Sequence, residues 1–371
     1  MYISDLKLIN YRNYKNEKME FINGINIFIG GNAQGKTNLL ESIYYCSRGN
    51  SFKSVKDSDI IRHNCDRATL DAQIIRNDRR KLIHIEIGKE KIITINDLRI
   101  KSLKDMKSQF DIVYFWPDHL RVVKDGPSLR RELVDDAITT IRPSFNRLHN
   151  TFTRLISQRN SLLKKSQTTR YFKEQLISIT KQIAEIGAVI TIMRHKYVTI
   201  LKGISSKIHS EITGNSEELD MVYMNSLPDI ELISIEREEL TGLLYEKIMS
   251  SLETDLRYGH TSNGPHRDDL ELLINGKDSK IFASQGQQRS IILSIKLAEM
   301  DIVNRYNNSW PILLLDDVFS ELDKNRRQRF LEKISNCQSL ITTNEVNADE
   351  LNYFSKNINI KKINEGRIVN R

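Results

Sequence analysis

The run Gly30-Gly31-Asn32-Ala33-Gln34-Gly35-Lys36-Thr37 satisfies G-x-x-x-x-G-K-[ST] at every fixed position. In that pattern backbone N–H groups turn inward around phosphate oxygens and a helix N-terminus adds its positive dipole end. Lys36 then reaches the outer phosphates of a nucleoside triphosphate such as ATP, and the Thr37 hydroxyl is placed to ligate Mg2+. The segment ahead, Ile25-Asn-Ile-Phe-Ile29, reads as a buried strand, and Lys36 to about Cys46 reads as a helix. That strand-loop-helix context argues against a chance glycine-rich turn. A second chemical element lies far downstream. Pro311-Ile-Leu-Leu-Leu315-Asp316-Asp317 is a strand of four aliphatics ending in two acids, the form expected where a carboxylate at a strand tip orders the Mg2+ of a phosphate-binding loop. Asp316 is the metal-side candidate, and Asp317 stands where a general base or water-positioning carboxylate belongs. With Asp317 one methylene shorter than a Glu, slow hydrolysis is expected; the plainer alternative is two surface acids after a strand.

Between these two lies Ser284-Gln-Gly-Gln-Gln288-Arg289, followed by a helix-like Ser290–Ile302. Taken alone, the string is a helix cap.

The elements that must position these residues change character along the chain. Tyr2–Ile9 and Ile25–Ile29 read as strands, and Ala68–Asn96 as antiparallel hairpins from the period-two alternation of Ile83, Ile85 and Ile87 between Asn77-Asp78 and Gly88-Lys89. From Leu176 through Ile179, Ile183, Ile186, Ile190, Met193, Tyr197 and Ile200 to Ile204, a 3,4 spacing holds for four heptads, a coiled-coil seam. A shorter seam, Phe145, Leu148, Phe152, Leu155 and Leu162, precedes it across the polar break Lys164–Thr169. Two arrangements stand open: an antiparallel helical arm of about 30–60 Å, or a compact helical lobe. In either case the segment is an insertion, because strand-like patterns resume with Leu270–Ile274 and Ile312–Leu315. The expected organisation is residues 1–141 as the first part of an α/β head, 142–260 as a helical domain, and 261–371 as the second part of the head.

With 371 residues, 28% charged and 39% apolar, the chain has the composition of a folded soluble protein. The formal charge of +8, from 56 Lys+Arg against 48 Asp+Glu, permits a nucleic-acid partner without demanding one. Cys46, Cys65 and Cys337 are too few and too dispersed for a disulfide framework or a thiolate zinc site. Met1–Lys15 carries Asp5, Lys7, Arg12 and Lys15 and no apolar leader core, so a cytoplasmic protein without a membrane span is expected.

Order and spacing then become specific. Ser284–Arg289 resembles the signature motif of ABC-type ATPases, and Ser320-Glu-Leu-Asp323 resembles their D-loop. Six ordered blocks resemble the RecF family of SMC-like, ABC-type ATPases: Asn10-Tyr-Arg-Asn-Tyr14; Gly30–Thr37; Pro117-Asp118 with Gly126-Pro-Ser-Leu-Arg130-Arg131; Gly264-Pro-His266-Arg267-Asp268-Asp269; Ser284–Arg289; and Leu313–Asp323. The family's Gly-small-Pro turn here reads Asp125-Gly126-Pro127, and Asn344 stands where relatives place Asp or His. The resemblance implies a mixed sheet plus an antiparallel sheet in the head, ATP with Mg2+, and a head-to-head ATP-dependent homodimer. In such a dimer Ser284, Gly286 and Gln287 meet the nucleotide bound by the opposite subunit; for Arg12 and Asn13 two readings stay open, a contact to nucleotide phosphate or a solvated loop without a function. It further implies binding to DNA gaps or junctions in repair, replication and the SOS response, with RecR and RecO in loading RecA. For His266 and Arg267 two roles stay open, a structural turn or a contact to phosphate or DNA; Arg130 and Arg131 are candidate DNA-phosphate contacts. The competing classes are a transporter ATPase, against which the long helical insertion argues, and a nuclease with an ABC-type head, for which only 48 residues remain after Asp323.

Overall fold

A computed structural model describes every residue except 54, 101–105, 107–108, 165–170, 228–230, 319–321, 346–356 and 370–371. The chain divides into two compact units: Met1–Leu120 with Lys207–Glu217 and Ser284–Arg371, and Arg121–Ser206 with Glu218–Ala283.

The first unit holds two sheets. One is antiparallel, in the order β2 (Tyr14–Glu20), β1 (Tyr2–Tyr11), β4 (Ala68–Arg76), β5 (Arg79–Ile87), β6 (Lys91–Ile95), β7 (Leu98–Arg99). Its strands alternate inward aliphatics with outward polar residues, as a sheet with one covered face must; in β5, Ile83, Ile85 and Ile87 point inward. The second sheet runs β15 (Arg367–Val369), β14 (Ile358–Asn364), β3 (Ile25–Ile29), β13 (Ser339–Thr343), β12 (Ile312–Asp316), β8 (Ile112–Phe115). From β14 to β8 its pairs are parallel. Strands buried on both faces favour apolar runs; β12 supplies Ile312–Leu315 and β13 Leu340-Ile341, and both strands are buried at every position.

Helix α1 (Lys36–Arg48) contributes Leu39, Leu40, Ile43 and Tyr45 to the same apolar core as both sheets. It stops at Gly49, whose φ of 72° is left-handed and whose N–H donates to the Tyr45 carbonyl at 2.8 Å, the glycine terminator expected for a helix end.

The second unit contains α2 (Pro127–Ile141), α3 (Ser144–Lys164), the first 35 residues of α4 (Phe172–Thr213), α5 (Arg237–Ser250), α6 (Leu252–Tyr258) and a three-stranded antiparallel sheet, β11 (Lys277–Asp278), β10 (Asp269–Ile274), β9 (Leu219–Met224). This is the compact lobe and not a free coiled-coil arm. Of the seam positions, Leu176, Ile183, Ile190 and Tyr197 are buried, but Ile179, Ile186, Met193, Ile200 and Ile204 are only half-buried. Thr180, Ala184, Ala188, Thr191, Arg194, Leu201 and Ser205 complete the buried face instead. A face wide enough to admit those residues packs against a globular core; a two-residue stripe would not. The unit boundaries also correct the expected division at 141/142 and 260/261. Helix α2 packs on β10 and α3, and Leu270–Ile274 pairs with β9, so both segments lie with the helices and not with the head.

The lobe is tied by buried ion pairs. Arg194 donates to both oxygens of Asp135 at 2.7 Å and to the Pro265 carbonyl at 2.6 Å. Fully buried Arg159 donates to Asp255 at 2.7 Å, Thr261 at 2.8 Å and Thr180 at 3.1 Å. Buried charges are tolerated only when partnered in this way. Helix α4 is also long and apolar enough to cross a bilayer, with a mean hydropathy of 1.5 over its most apolar window, yet 44% of that window is buried. Paired Arg194 within it marks a core helix.

The turn at Gly264–Asp269 is structural. Arg130 makes a two-pronged ion pair with Asp269 at 2.7 and 2.9 Å and donates to the carbonyls of Val122 and Asp125. Arg131 donates to the Asp268 carbonyl at 2.6 Å. The Arg130 guanidinium, read from sequence as a DNA contact, is committed inside the fold, while half-buried Arg131 spends one nitrogen there. His266 bonds through Nε2 to the Thr261 carbonyl at 3.0 Å, an acceptor it shares with Arg267. Burial, opposed by that hydrogen bond, lowers the imidazole to about 4. With an unfolded value near 6.5, the neutral ring's contribution is complete above that pH. It is lost, up to roughly 3 kcal/mol, as pH falls through 6.5 toward 4. Asp268, raised to about 6 by burial, acts in the opposite sense across much of that window, so bulk stability mixes the two. An NMR titration of the His266 ring is therefore the clean measurement; a midpoint near 4 is expected, and one between 6 and 7 contradicts this environment.

Candidate nucleotide site

Parallel pairing aligns the C-terminal ends of the strands that carry the site. Thr343 of β13 stands opposite Ile29 of β3, and Thr342 opposite Asp316 of β12. The loop after β3, Asn344 after β13 and Asp317 after β12 therefore leave the sheet at one edge, the place where open parallel sheets bind ligands.

At that edge Gly31, Asn32 and Ala33 form an exposed loop tip, and Gly35 leads into α1 with φ of 110°. No side chain caps α1, and its first turn carries no acidic residue. A helix start with uncapped N–H groups is an anion site by construction. Lys36 is folded onto its own loop, donating to the carbonyls of Gly30 at 2.6 Å and Gly31 at 2.7 Å and to Asn344 Oδ1 at 3.0 Å. Burial lowers its pKa, while Asp317 and Asp316 push it back up. Thr37 donates to Asp316 Oδ2 at 2.7 Å, and Thr342 to Asp316 Oδ1 at 2.6 Å. A hydroxyl and a carboxylate held together beside an uncapped helix start are the hard oxygen donors that suit Mg2+. Asp317 has a left-handed φ of 48° and its N–H lies 3.2 Å from both oxygens of Thr342. The donor set fits a nucleoside triphosphate with Mg2+: Thr37 and Asp316 would hold the ion, and Lys36 with the start of α1 the phosphates.

The loop is braced from two sides. Asn13 donates from Nδ2 to the Gln34 carbonyl at 3.0 Å, and Tyr14 donates to the Gly35 carbonyl at 2.9 Å. The turn between β14 and β15 supplies the other brace: Gly366 N–H donates to the Gln34 carbonyl at 2.9 Å and Glu365 N–H to Gln34 Oε1 at 2.7 Å. A Cβ on Gly35 would fall 2.5 Å from Asn13, and one on Gly30 would fall 2.5 Å from the Ile363 carbonyl. Those two glycines are demanded by the protein's own packing. Sequence reasoning gave no role to Tyr14, Thr342 or the Glu365-Gly366 turn. Glu365-Gly366 does carry a local hairpin signal, but nothing local says that Glu365 docks on Gln34, 331 residues upstream.

Ser284 caps helix α7 (Gln285–Asn307) through a reciprocal capping box: its Oγ accepts from Gln287 N–H at 3.3 Å, and its own N–H donates to Gln287 Oε1 at 2.9 Å. Ser284 is exposed, and a Cβ on Gly286 would meet nothing within 4 Å. The Gln287 amide is committed to the cap and to Glu217. Farther along, Arg289 donates to the Asp317 and Val318 carbonyls at 3.3 and 3.2 Å, linking α7 to the acidic strand end. Of the D-loop segment, Ser320 and Glu321 lie outside the described residues; Asp323 caps helix α8 (Lys324–Lys333), accepting from Arg326 N–H at 2.9 Å. Among the described residues no three His, Cys, Asp or Glu side chains are grouped as a metal cluster.

A family model described as the RecF/RecN/SMC N-terminal domain matches residues 2–368. Curated relatives named DNA replication and repair protein RecF are 35% identical over 99% of both chains in Clostridium novyi and 36% identical, covering 100% of this chain and 99% of the relative, in Clostridium acetobutylicum. The chain belongs to the RecF family. Among solved structures, the recombination mediator protein RecF with ATPrS, of the RecFOR pathway, superposes with a TM-score of 0.87 at 33% identity, covering 99% of this chain and 97% of that one. The RecF–ATP structure gives 0.86 at 34%, with the same coverage. An Smc head bound to a ScpA winged-helix domain shares the fold, with a TM-score of 0.59 at 16% identity over 100% and 97% of the two chains. RecF relatives solved with ATP place the same nucleotide class at the fold to which this loop belongs.

Arg12 takes a structural part in this RecF-family site. It binds Glu41 of α1 through two hydrogen bonds, 3.0 and 2.7 Å long, and donates to the Asp59 carbonyl at 2.7 Å. Glu41 is fully buried, and Lys53 approaches it only to 3.7 Å. Arg12→Ala leaves the buried carboxylate, among the described residues, with only the Ser51 hydroxyl at 2.5 Å and Lys53 at 3.7 Å, so a loss of about 3 kcal/mol in denaturant unfolding is expected. A loss below about 1 kcal/mol accompanied by a collapse in ATP affinity would return Arg12 to the phosphates.

Proposed function

We propose that this chain is an ATP-dependent DNA-binding protein of recombinational repair and replication, whose nucleotide site is completed by a second copy. Lys36, Thr37, Asp316 and the start of α1 bind ATP and its Mg2+ from one chain, and Asp317 positions the water for slow hydrolysis. Mg2+, when bound, supplies positive charge against the phosphate oxygens. Ser284 and Gly286 of the other chain close over the outer phosphates. The observation that supports this reading is an asymmetry within one unit. The loop side of the site is braced and internally bonded, while the start of the 23-residue helix α7 presents exposed Ser284 and open Gly286. Helix starts bind anions, and the first turn of this one carries no acidic residue.

ATP-driven closure of two heads is the form of a DNA clamp, with grip released on hydrolysis. Relatives are named for DNA replication and repair and for the RecFOR pathway, and the corresponding partners here are gapped or junction DNA, with RecR and RecO acting to load RecA in the cytoplasm. The net charge of +8 suits a phosphate backbone, and such binding should weaken steeply with salt. Arg130, buried and paired with Asp269, is not among its contacts. A transporter subunit is the alternative class; the inserted lobe of helices and sheet has no place in that reading.

Two variants test the division of labour, read by equilibrium binding of a fluorescent ATP analogue and by light scattering for dimers. Lys36→Ala should weaken nucleotide binding by roughly tenfold or more and abolish ATP-dependent dimers; retention of both sinks the loop assignment. Ser284→Arg should leave monomer binding within about twofold while abolishing dimers. Loss of monomer binding instead places Ser284 on its own chain's nucleotide.

A further inference from the structure

Glu217 lies in the turn between the end of α4 and β9, within the first unit, and its side chain is 9% exposed. No part of the nucleotide chemistry above uses it. Its Oε1 accepts from Arg326 at 2.8 Å and from Gln287 Nε2 at 3.4 Å, and its Oε2 lies 3.3 Å from Nε2 of fully buried His209.

Each of those partners leads to the surface that presents Ser284. Gln287 spends its other amide atom, Oε1, on the Ser284 N–H. Held by Glu217, that amide has one orientation, with nitrogen toward the carboxylate and oxygen toward the cap. Arg326 donates to Ser290 Oγ at 2.7 Å, and Ser290 in turn donates to the Gly286 carbonyl at 3.0 Å. Arg326 also pairs with Asp323, at the start of α8, at 3.1 Å. His209 Nδ1 lies 3.1 Å from Ser294 Oγ, which donates to the Ser290 carbonyl at 2.7 Å. One carboxylate thus joins the end of α4, the first three turns of α7 and the first turn of α8.

We infer that Glu217 is a positioning residue for the surface that receives the partner's nucleotide. By fixing the Gln287 amide and the Arg326 guanidinium together, it holds Ser284, Gly286 and Asp323 in one rigid arrangement before a second copy arrives. Pre-set donors avoid an ordering cost at the moment of closure, so Glu217 acts on dimer formation and not on the first binding of ATP. The inference rests on the two-copy reading of the site.

The test uses the full chain carrying Glu217→Ala or Gln287→Ala; the second leaves the Glu217–Arg326 pair intact and removes the Gln287 amide, with both its bond to Glu217 and its bond to the Ser284 N–H. Monomer affinity for ATP with Mg2+ should stay within about twofold of wild type, and the ATP-dependent dimer dissociation constant should rise roughly tenfold in either variant. In the double variant the two effects should fall short of additive, because the Glu217–Gln287 bond is common to both. An unchanged dimer constant in folded, ATP-binding Gln287→Ala overturns the inference, as does full additivity. A loss of monomer ATP affinity matching the loss of dimers overturns it too, by making the role merely structural. A wild-type chain that stays monomeric with ATP brings down the two-copy reading itself, an outcome separable from the others because no variant is involved.

Discussion

Parallel pairing of β3, β13 and β12 is the constraint on which the site depends. Because Thr343 is paired with Ile29 and Thr342 with Asp316, three segments distant in sequence leave the sheet together. Lys36 can then reach Asn344, and Thr37 can reach Asp316. A register slip of one residue on any of the three strands would turn its exit side chain to the opposite face. The aliphatic run Ile312–Leu315 of β12 and the Leu340-Ile341 pair of β13, in strands buried throughout, keep those strands in the middle of the sheet.

Around that edge, packing and polar satisfaction act together. The loop's main chain is bonded to Asn13 and Tyr14 on one side and to the Glu365-Gly366 turn on the other, so few conformations are left to it before any phosphate arrives. Preorganisation of this sort lowers the entropy lost on binding. The start of α7 is equally well ordered, by its capping box and by Glu217 through Gln287, yet Ser284 is exposed and a Cβ on Gly286 would meet no described residue within 4 Å. Order without a local ligand is what a site shared between two copies requires.

Sequence showed what is local and missed what is tertiary. The phosphate-binding loop, the strand before it and the helix after it follow from glycine spacing and apolar periodicity, and α1 extends only two residues past the expected Cys46. Leu270–Ile274 is a strand as its alternation indicates, but strand pattern does not name a sheet, and β10 pairs in the second unit. The 3,4 spacing of α4 mimics a coiled-coil seam because isoleucines at half-buried positions look the same as those in the core; Thr180, Thr191 and Arg194 are what widen the buried face. Charge was the least legible. Arg12, Arg130 and Arg131 read as phosphate contacts, and each is bonded within the fold, since a sequence shows a guanidinium but not the carboxylate or carbonyl that waits for it. Glu217 carried no signal at all, its meaning set by residues 70 and 109 positions away.

The central claim is that one chain holds both halves of a site that only two chains can complete. Sedimentation velocity of the unmodified protein, with and without ATP and Mg2+ and then with a gapped DNA duplex, tests it most directly. The account predicts monomers without nucleotide, dimers with ATP and Mg2+, and co-sedimentation of those dimers with the DNA. A chain that binds ATP yet remains a monomer under every one of these conditions would contradict it.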